Sequence, residues 1–239
     1  MTSPSTKYEE LVDRGKELYR ASQFAEARDV LREAIRVGEQ EYGPDAAELI
    51  ESLRWLAMAI SEKDYSAAKT AEELPLHERA LRIAQAAFGP DDARTAKAHY
   101  NVGLALWGLK RLDEALEHFQ RSFELATMIH QDEGHYFVCQ TRGSLGELLI
   151  EMSRFDEGIP LLQREAEIAD GKGHVAGRFV AHWFLGRALL LAKRWEEATR
   201  SLETSLHLVN PTSKRGSEQA EQLRAWLEEA KTGRAAGTP

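Results

Sequence analysis

One cysteine, Cys139, stands among 239 residues, so no internal disulfide can form. It lies between apolar and aromatic neighbours and reads as a small hydrophobe rather than a reactive thiol. Val and Ile are sparse beside Leu, which argues against a large sheet. No apolar run is long enough to span a membrane, and Met1 to Thr6 lacks the apolar core of a secretory leader. The expectation is a cytoplasmic protein with no membrane partner. The formal net charge is −8, with both signs mixed throughout and no basic stripe, so no nucleic-acid partner is expected.

Catalytic and metal-binding patterns are also missing. There is no Gly-x-Ser-x-Gly, and no catalytic His partner is evident for Cys139. Gly171-Lys172-Gly173-His174 lacks the spacing of a phosphate loop and no strand precedes it, so it reads as a helix-separating loop. His130 to His135 groups two histidines and two acids, but zinc would need a third and a fourth ligand in good geometry, and a solvated loop is the simpler reading. His77, His99, His118, His182 and His207 fall at no ligand spacing. The expectation is a non-enzymatic chain with no catalytic residue, no cofactor and no metal.

What the chain does have is helix formers: Ala, Leu, Glu, Lys and Arg make up roughly half of it, which favours an all-α protein. The stretch Tyr100 to Ala126 reads as two helices joined by a tight turn. Val102, Gly103, Leu106 and Leu109 share one stripe, and Leu112, Ala115, Leu116, Phe119 and Phe123 the next. Gly103 and Ala115 leave room where the two helices cross. Lys110, Arg111, Asp113 and Glu114 suit the exposed turn and the first turn of the second helix, where acids meet the positive end of the helix dipole.

The pattern recurs. The small residue of the first helix falls at Gly15, Ala57, Gly103, Gly146 and Gly186, with gaps of 42, 46, 43 and 40 residues. Helix pairs at such a period build a solenoid. Gly43-Pro44-Asp45 and Gly89-Pro90-Asp91, 46 residues apart, stop one helix each and offer Asp as a cap for the next. Asn210 to Ser213 ends the fifth copy, and Gly216 to Lys231 then reads as an amphipathic helix that covers the last repeat. The resulting layout is a tail over 1–6, repeats over about 7–42, 45–88, 91–130, 134–171 and 173–210, a capping helix over 216–231, and a second disordered tail over 233–239. In the second copy Ser61 to Glu73 reads as an expanded hairpin loop.

A small residue, Leu three later, Leu or an aromatic at the turn, Ala three further on, and Leu or an aromatic after four more: this resembles the tetratricopeptide repeat, over roughly Lys7 to Lys231. Phe88 to Leu106, FGPDDARTAKAHYNVGLAL, also resembles the longer repeats of kinesin light chains. The period exceeds the 34 residues of the standard repeat, and its usual closing proline is absent. The resemblance implies a right-handed superhelical solenoid of five helix hairpins and a cap, with first helices lining a concave groove. It further implies a scaffold or adaptor for a peptide segment or partner protein.

On that frame Arg54, Trp55, Tyr100, Asn101, Trp183 and Arg187 are the expected groove residues. Aromatics and Arg anchor interfaces, and Asn101 can meet both donor and acceptor of a peptide backbone. For Trp55, Trp107 and Trp183, packing between repeats is an equally good reading. The two-carboxylate clamp of chaperone-binding repeats fits poorly: Lys16 and Asn101 are present, but Trp55 stands where the intermediate Asn belongs. Arg54 and Arg187 in an acidic chain favour a ligand with acidic or C-terminal carboxylate groups. Two other readings remain at this point, a regulatory sensor for a short signalling peptide or small ligand, and an enzyme or enzyme subunit. Oligomeric state is not readable.

Overall fold

The computed structural model describes residues 6–61, 67–173, 175–210 and 212–237. Eleven helices and no strand occur among the described residues. They fall into two compact units that divide between Ile129 and His130. The first holds α1 (Lys7–Arg20), α2 (Phe24–Tyr42), α3 (Leu49–Ser61), α4 (Ala67–Phe88), α5 (Ala93–Gly108) and all but the last residue of α6 (Leu112–His130). The second holds α7 (Tyr136–Glu151), α8 (Phe155–Lys172), α9 (Val175–Leu191), α10 (Trp195–Leu208) and α11 (Lys214–Gly237). In each unit successive helices pack on one another, and first helices of successive hairpins also touch, α1 on α3 and α7 on α9. Each unit is thus an all-α stack of paired helices, the arrangement of a solenoid.

Four hairpins share one turn, residue for residue. Ser22, Lys110, Ser153 and Lys193 each lie seven positions after the small glycine and take φ between 59° and 62°. The amide of the next residue reaches back to the carbonyl five before it: Gln23 to Leu18, Arg111 to Leu106, Arg154 to Leu149 and Arg194 to Leu189, at 2.8–3.0 Å. The positive-φ residue itself donates to the carbonyl three before it. This is the Schellman closure, which satisfies the last carbonyls of the first helix. The residue after the turn stands just before the second helix, and its side chain reaches forward to a carboxylate three positions on rather than to a backbone amide. Arg111 forks onto Glu114, Arg154 onto Glu157 and Arg194 onto Glu197, while Gln23 donates to Glu26. The same turn of the second hairpin lies outside the described residues.

The small residues of the first helices work as read. A Cβ on Gly15, Gly103, Gly146 or Gly186 would lie 2.6–2.9 Å from the side chain sixteen residues on: Leu31, Phe119, Leu162 or Leu202. A large apolar side chain of the second helix therefore lies flat over bare backbone of the first. A serine on the second helix adds a tie: Ser122 donates to the Ala96 carbonyl at 2.8 Å and Ser205 to the Phe179 carbonyl at 3.1 Å.

Several boundaries differ from the sequence reading. Thr6, expected in the first tail, N-caps α1 in a capping box with Glu9; residues 1–5 lie outside the described residues. The end of the Ser61–Glu73 stretch is helical, because α4 already begins at Ala67 and carries Pro75 within it; residues 62–66 lie outside the described residues. Asp92, not Asp91, caps α5, accepting from the Arg94 amide at 2.8 Å, and Asp91 instead pairs with Arg121. After Asp45 the chain makes a further turn before α3 opens at Leu49. The last helix runs on to Gly237, so the stretch from Gly233 is helical where a loose tail is expected from sequence. Its apolar side, Ala220, Leu223, Leu227 and Ala230, is buried against the fifth hairpin.

Candidate partner-binding groove

In the first unit a pocket of about 410 Å³ opens between α3, α4 and α5. Ala47, Ile50, Ala80, Phe88 and Ala98 supply its apolar wall. Glu48, Glu51, Arg54, His77, Arg94, Lys97 and Asn101 supply its polar groups. Two of the expected groove residues, Arg54 and Asn101, therefore meet at one concavity.

The charges there are unequally engaged. Arg94 forks onto Asp92 at 2.8 and 3.0 Å, and its guanidinium stacks over the Phe88 ring 3.2 Å from the centroid. Glu51 pairs with Lys16 at 2.9 Å and accepts from the Trp55 indole at 3.4 Å. Arg54 lies 4.0 Å from Glu51 and rests on the Trp55 ring, 4.8 Å from its centroid. Burial pulls its pKa below the usual arginine value. Among the described residues Lys97 and Asn101 make no hydrogen bond or ion pair through their side chains. Arg54 and Lys97 thus line the pocket with Glu48 and with Glu51, whose closer partner is Lys16. His77, on α4, forms part of the pocket lining; burial first, and then the Arg54 charge, hold its pKa at about 4, so the imidazole is neutral.

The other expected groove residues have different surroundings. Trp55 packs edge-on against Tyr19 of α1, 5.4 Å between centroids. Tyr100 is 7 % exposed, with its ring 5.6 Å from Phe119, and belongs to the core of its hairpin. In the second unit Trp183 sits between Phe179 and Trp226 of the capping helix, at 5.7 and 4.9 Å, so α9 and α11 are joined through it. Arg187 is exposed on α9 and its charge acts on Glu147 of α7. Burial raises the Glu147 carboxyl to about 7 against that pull.

Sequence reasoning missed His77, Arg94 and Lys97. Arg94, Lys97 and Asn101 are spaced three and four apart, a legible helical stripe on α5. His77 had no such signal, because it comes from a second helix whose start was misplaced. The His130 and His135 rings stack 3.5 Å apart, and His135 accepts from the Phe137 amide as the cap of α7. Among the described residues no three His, Cys, Asp or Glu side chains are grouped to hold a metal ion, and no helix is long and apolar enough to cross a membrane. Cys139 is half-buried, and burial raises its thiol pKa.

Residues 14–45 and 70–128 match two family profiles, each described as tetratricopeptide repeat. No curated protein matches the chain. Among solved structures, the chain resembles the nearly identical TPR-like repeats described for a kinesin light chain of Podosopora anserina. Identity there is 16 % and the TM-score 0.72, over 90 % of this chain and all of that one. It also resembles BtubC (BKLC) of P. vanneervenii, at 14 % identity and a TM-score of 0.60, over 98 % of this chain and 94 % of the other. The apo form of RapI matches at 12 % identity and a TM-score of 0.64, over 99 % and 87 %. At such identities the likeness is one of fold. The two matched stretches are tetratricopeptide repeats, and the chain is a repeat protein that carries them.

Proposed function

We propose that the chain is a non-enzymatic adaptor that holds a peptide segment of a partner protein in the pocket between α3, α4 and α5, and that the segment presents a carboxylate. Repeats of this kind serve in general as protein-interaction scaffolds. The observation that carries the reading is the meeting of Arg54, Lys97 and Asn101, incompletely engaged, beside an apolar wall. The amide of Asn101 suits a peptide backbone, the cations suit a carboxylate, and the wall takes an apolar side chain. Trp55 and Trp183, packed between helices, act in this reading as supports.

Peptides selected from a random displayed library on the whole chain provide the test. Losing a hydrogen bond to a charged group typically costs about 1.5–3 kcal/mol, roughly ten- to hundredfold in affinity. Arg54→Ala and Asn101→Ala are expected to weaken the selected peptides by that factor. Arg82→Ala, at an exposed position of α4 outside the pocket, is the control and leaves binding unchanged. Peptides that bind both groove variants as they bind the parent would remove the groove from the function.

A further inference from the structure

His77 is 9 % exposed, and its ring has no hydrogen-bond partner among the described residues. Buried polar side chains are normally partnered, so a free imidazole at this depth needs a reason. It lines the pocket between α3, α4 and α5. The charged groups around the same space are Glu48, Glu51 and Arg54 on the α3 side and Arg94 and Lys97 on α5. On its own helix, Arg79 is turned to Glu39 and the Pro44 carbonyl, at 2.7 and 2.5 Å. Arg94 and Glu51 are held by Asp92 and Lys16, which leaves Arg54 as the charge that acts on the ring.

We propose that His77 is a specificity-determining contact of this groove: its imidazole reads the ligand carboxylate together with Arg54, and a carboxylate seated there loads one proton onto the ring. This rests on the reading of the groove as a carboxylate site. The empty pocket disfavours the imidazolium twice, by burial and by the facing guanidinium. A bound carboxylate cancels the guanidinium field and accepts the ring N–H, so both penalties shrink together. The proton comes from solvent, and its uptake on binding approaches one per ligand as pH falls below about 6.5. A neutral amide in the same place cancels nothing and leaves the ring uncharged. Ala47, Ile50, Ala80, Phe88 and Ala98 beside these groups make the preferred ligand an apolar residue that carries a carboxylate. That carboxylate is either a chain terminus or an acidic side chain next to an apolar one.

The test uses the whole chain with histidine rings and Asn side chains labelled for NMR. N-acetyl-leucine is the probe for a terminus, N-acetyl-aspartate amide the probe for a side chain, and N-acetyl-leucine amide the neutral control. A carboxylate probe is expected to shift the His77 ring and the Asn101 amide saturably, while the neutral control shifts neither. Binding should be about tenfold tighter at pH 5.5 than at 7.5, the factor for a ring restored near its ordinary 6.5 in the complex. His77→Gln should bind equally at both pH values. Whichever carboxylate probe binds tighter identifies the source, and either supports the proposal. Saturable binding seen at Asn101 with no pH dependence and an unmoved His77 ring overturns the role of His77 and leaves the groove reading intact. No saturable shift from any carboxylate probe overturns both. The wild-type titration decides the matter even if the Gln variant folds poorly.

Discussion

A Cβ placed on Gly158 would stand 2.9 Å from the carbonyl oxygen of Gly146, so in the fourth hairpin the two helices cross backbone against backbone. A side chain can rotate away from an intruding methyl group, but a carbonyl held in a helix cannot. Gly158→Ala is therefore expected to destabilise the second unit by about 1–3 kcal/mol, the usual cost of overpacking. Gly143, on α7, is the contrast: nothing lies within 4 Å of its added Cβ. Gly143→Ala should stabilise by about 0.5–1 kcal/mol, because glycine gives up more chain freedom in a helix than alanine does. Urea melts of the two variants beside the parent check both signs, and a stable Gly158→Ala would show that the crossing is looser than described.

The shared hairpin turn yields a second prediction. Lys193 holds φ at 59° on an exposed position. Left-handed backbone costs an L-residue about 1 kcal/mol that glycine does not incur. Lys193→Gly, and likewise Ser153→Gly with φ at 60°, should each raise stability by up to about 1 kcal/mol. Denaturant midpoints that fall in both variants would mean that these side chains make contacts worth more than the strain.

Stability should also fall with acid for a reason separate from carboxylate titration. His77 has its folded pKa depressed to about 4 from an unfolded 6.5, so the folded chain binds fewer protons than the unfolded one in between. The contribution is complete above pH 6.5 and is lost as pH falls towards 4, by about 3 kcal/mol for a shift of this size. His99, held at about 4 by burial and by its 3.0 Å contact with His118, loses stability over the same window. The stability difference between the parent and His77→Gln, followed from pH 7.5 to 4, is the measurement. A difference that does not change with pH would place the imidazole in a wetter site than its burial describes.

Leu223 is fully buried in the face that α11 lays on the fifth hairpin. Leu223→Ala should cost about 2–5 kcal/mol through lost apolar burial and the cavity left behind. Ending the chain at Asn210 removes the whole covering face and should produce aggregation or a large loss of melting temperature. A shortened chain that stays monomeric and melts like the parent would show that α11 is not a cap.

The fold was legible because its signal is periodic. Gly15, Gly103, Gly146 and Gly186 mark the register, and each meets the apolar residue sixteen positions on. The turn chemistry was written just as regularly, in Arg111 with Glu114, Arg154 with Glu157 and Arg194 with Glu197, but it is a pattern of exposed charges rather than of apolar residues. The groove was harder to read. Spacing puts Tyr100 and Asn101 side by side on one helix, yet one turns its ring to Phe119 and the other stays at the pocket. Neighbouring positions on a helix point about 100° apart, and a one-residue error in facing exchanges core for surface. Trp183 needed knowledge of its partner Trp226, 43 residues further along and invisible to a local pattern. His77 was lost for a different reason: the second hairpin carries extra residues, so its helices fall out of step with the repeat frame.

In both units each helix is covered by helices near it in sequence, and four of the hairpins are closed by a turn of a few residues. Few long loops must therefore close before contacts form, and local topologies of this kind fold quickly. During synthesis a hairpin can dock on the one before it in its own unit as soon as it leaves the ribosome. The last apolar face stays bare until α11 is made. The interval between completion of the fifth hairpin and arrival of Leu223 is then the moment at which a growing chain is most open to association with its neighbours.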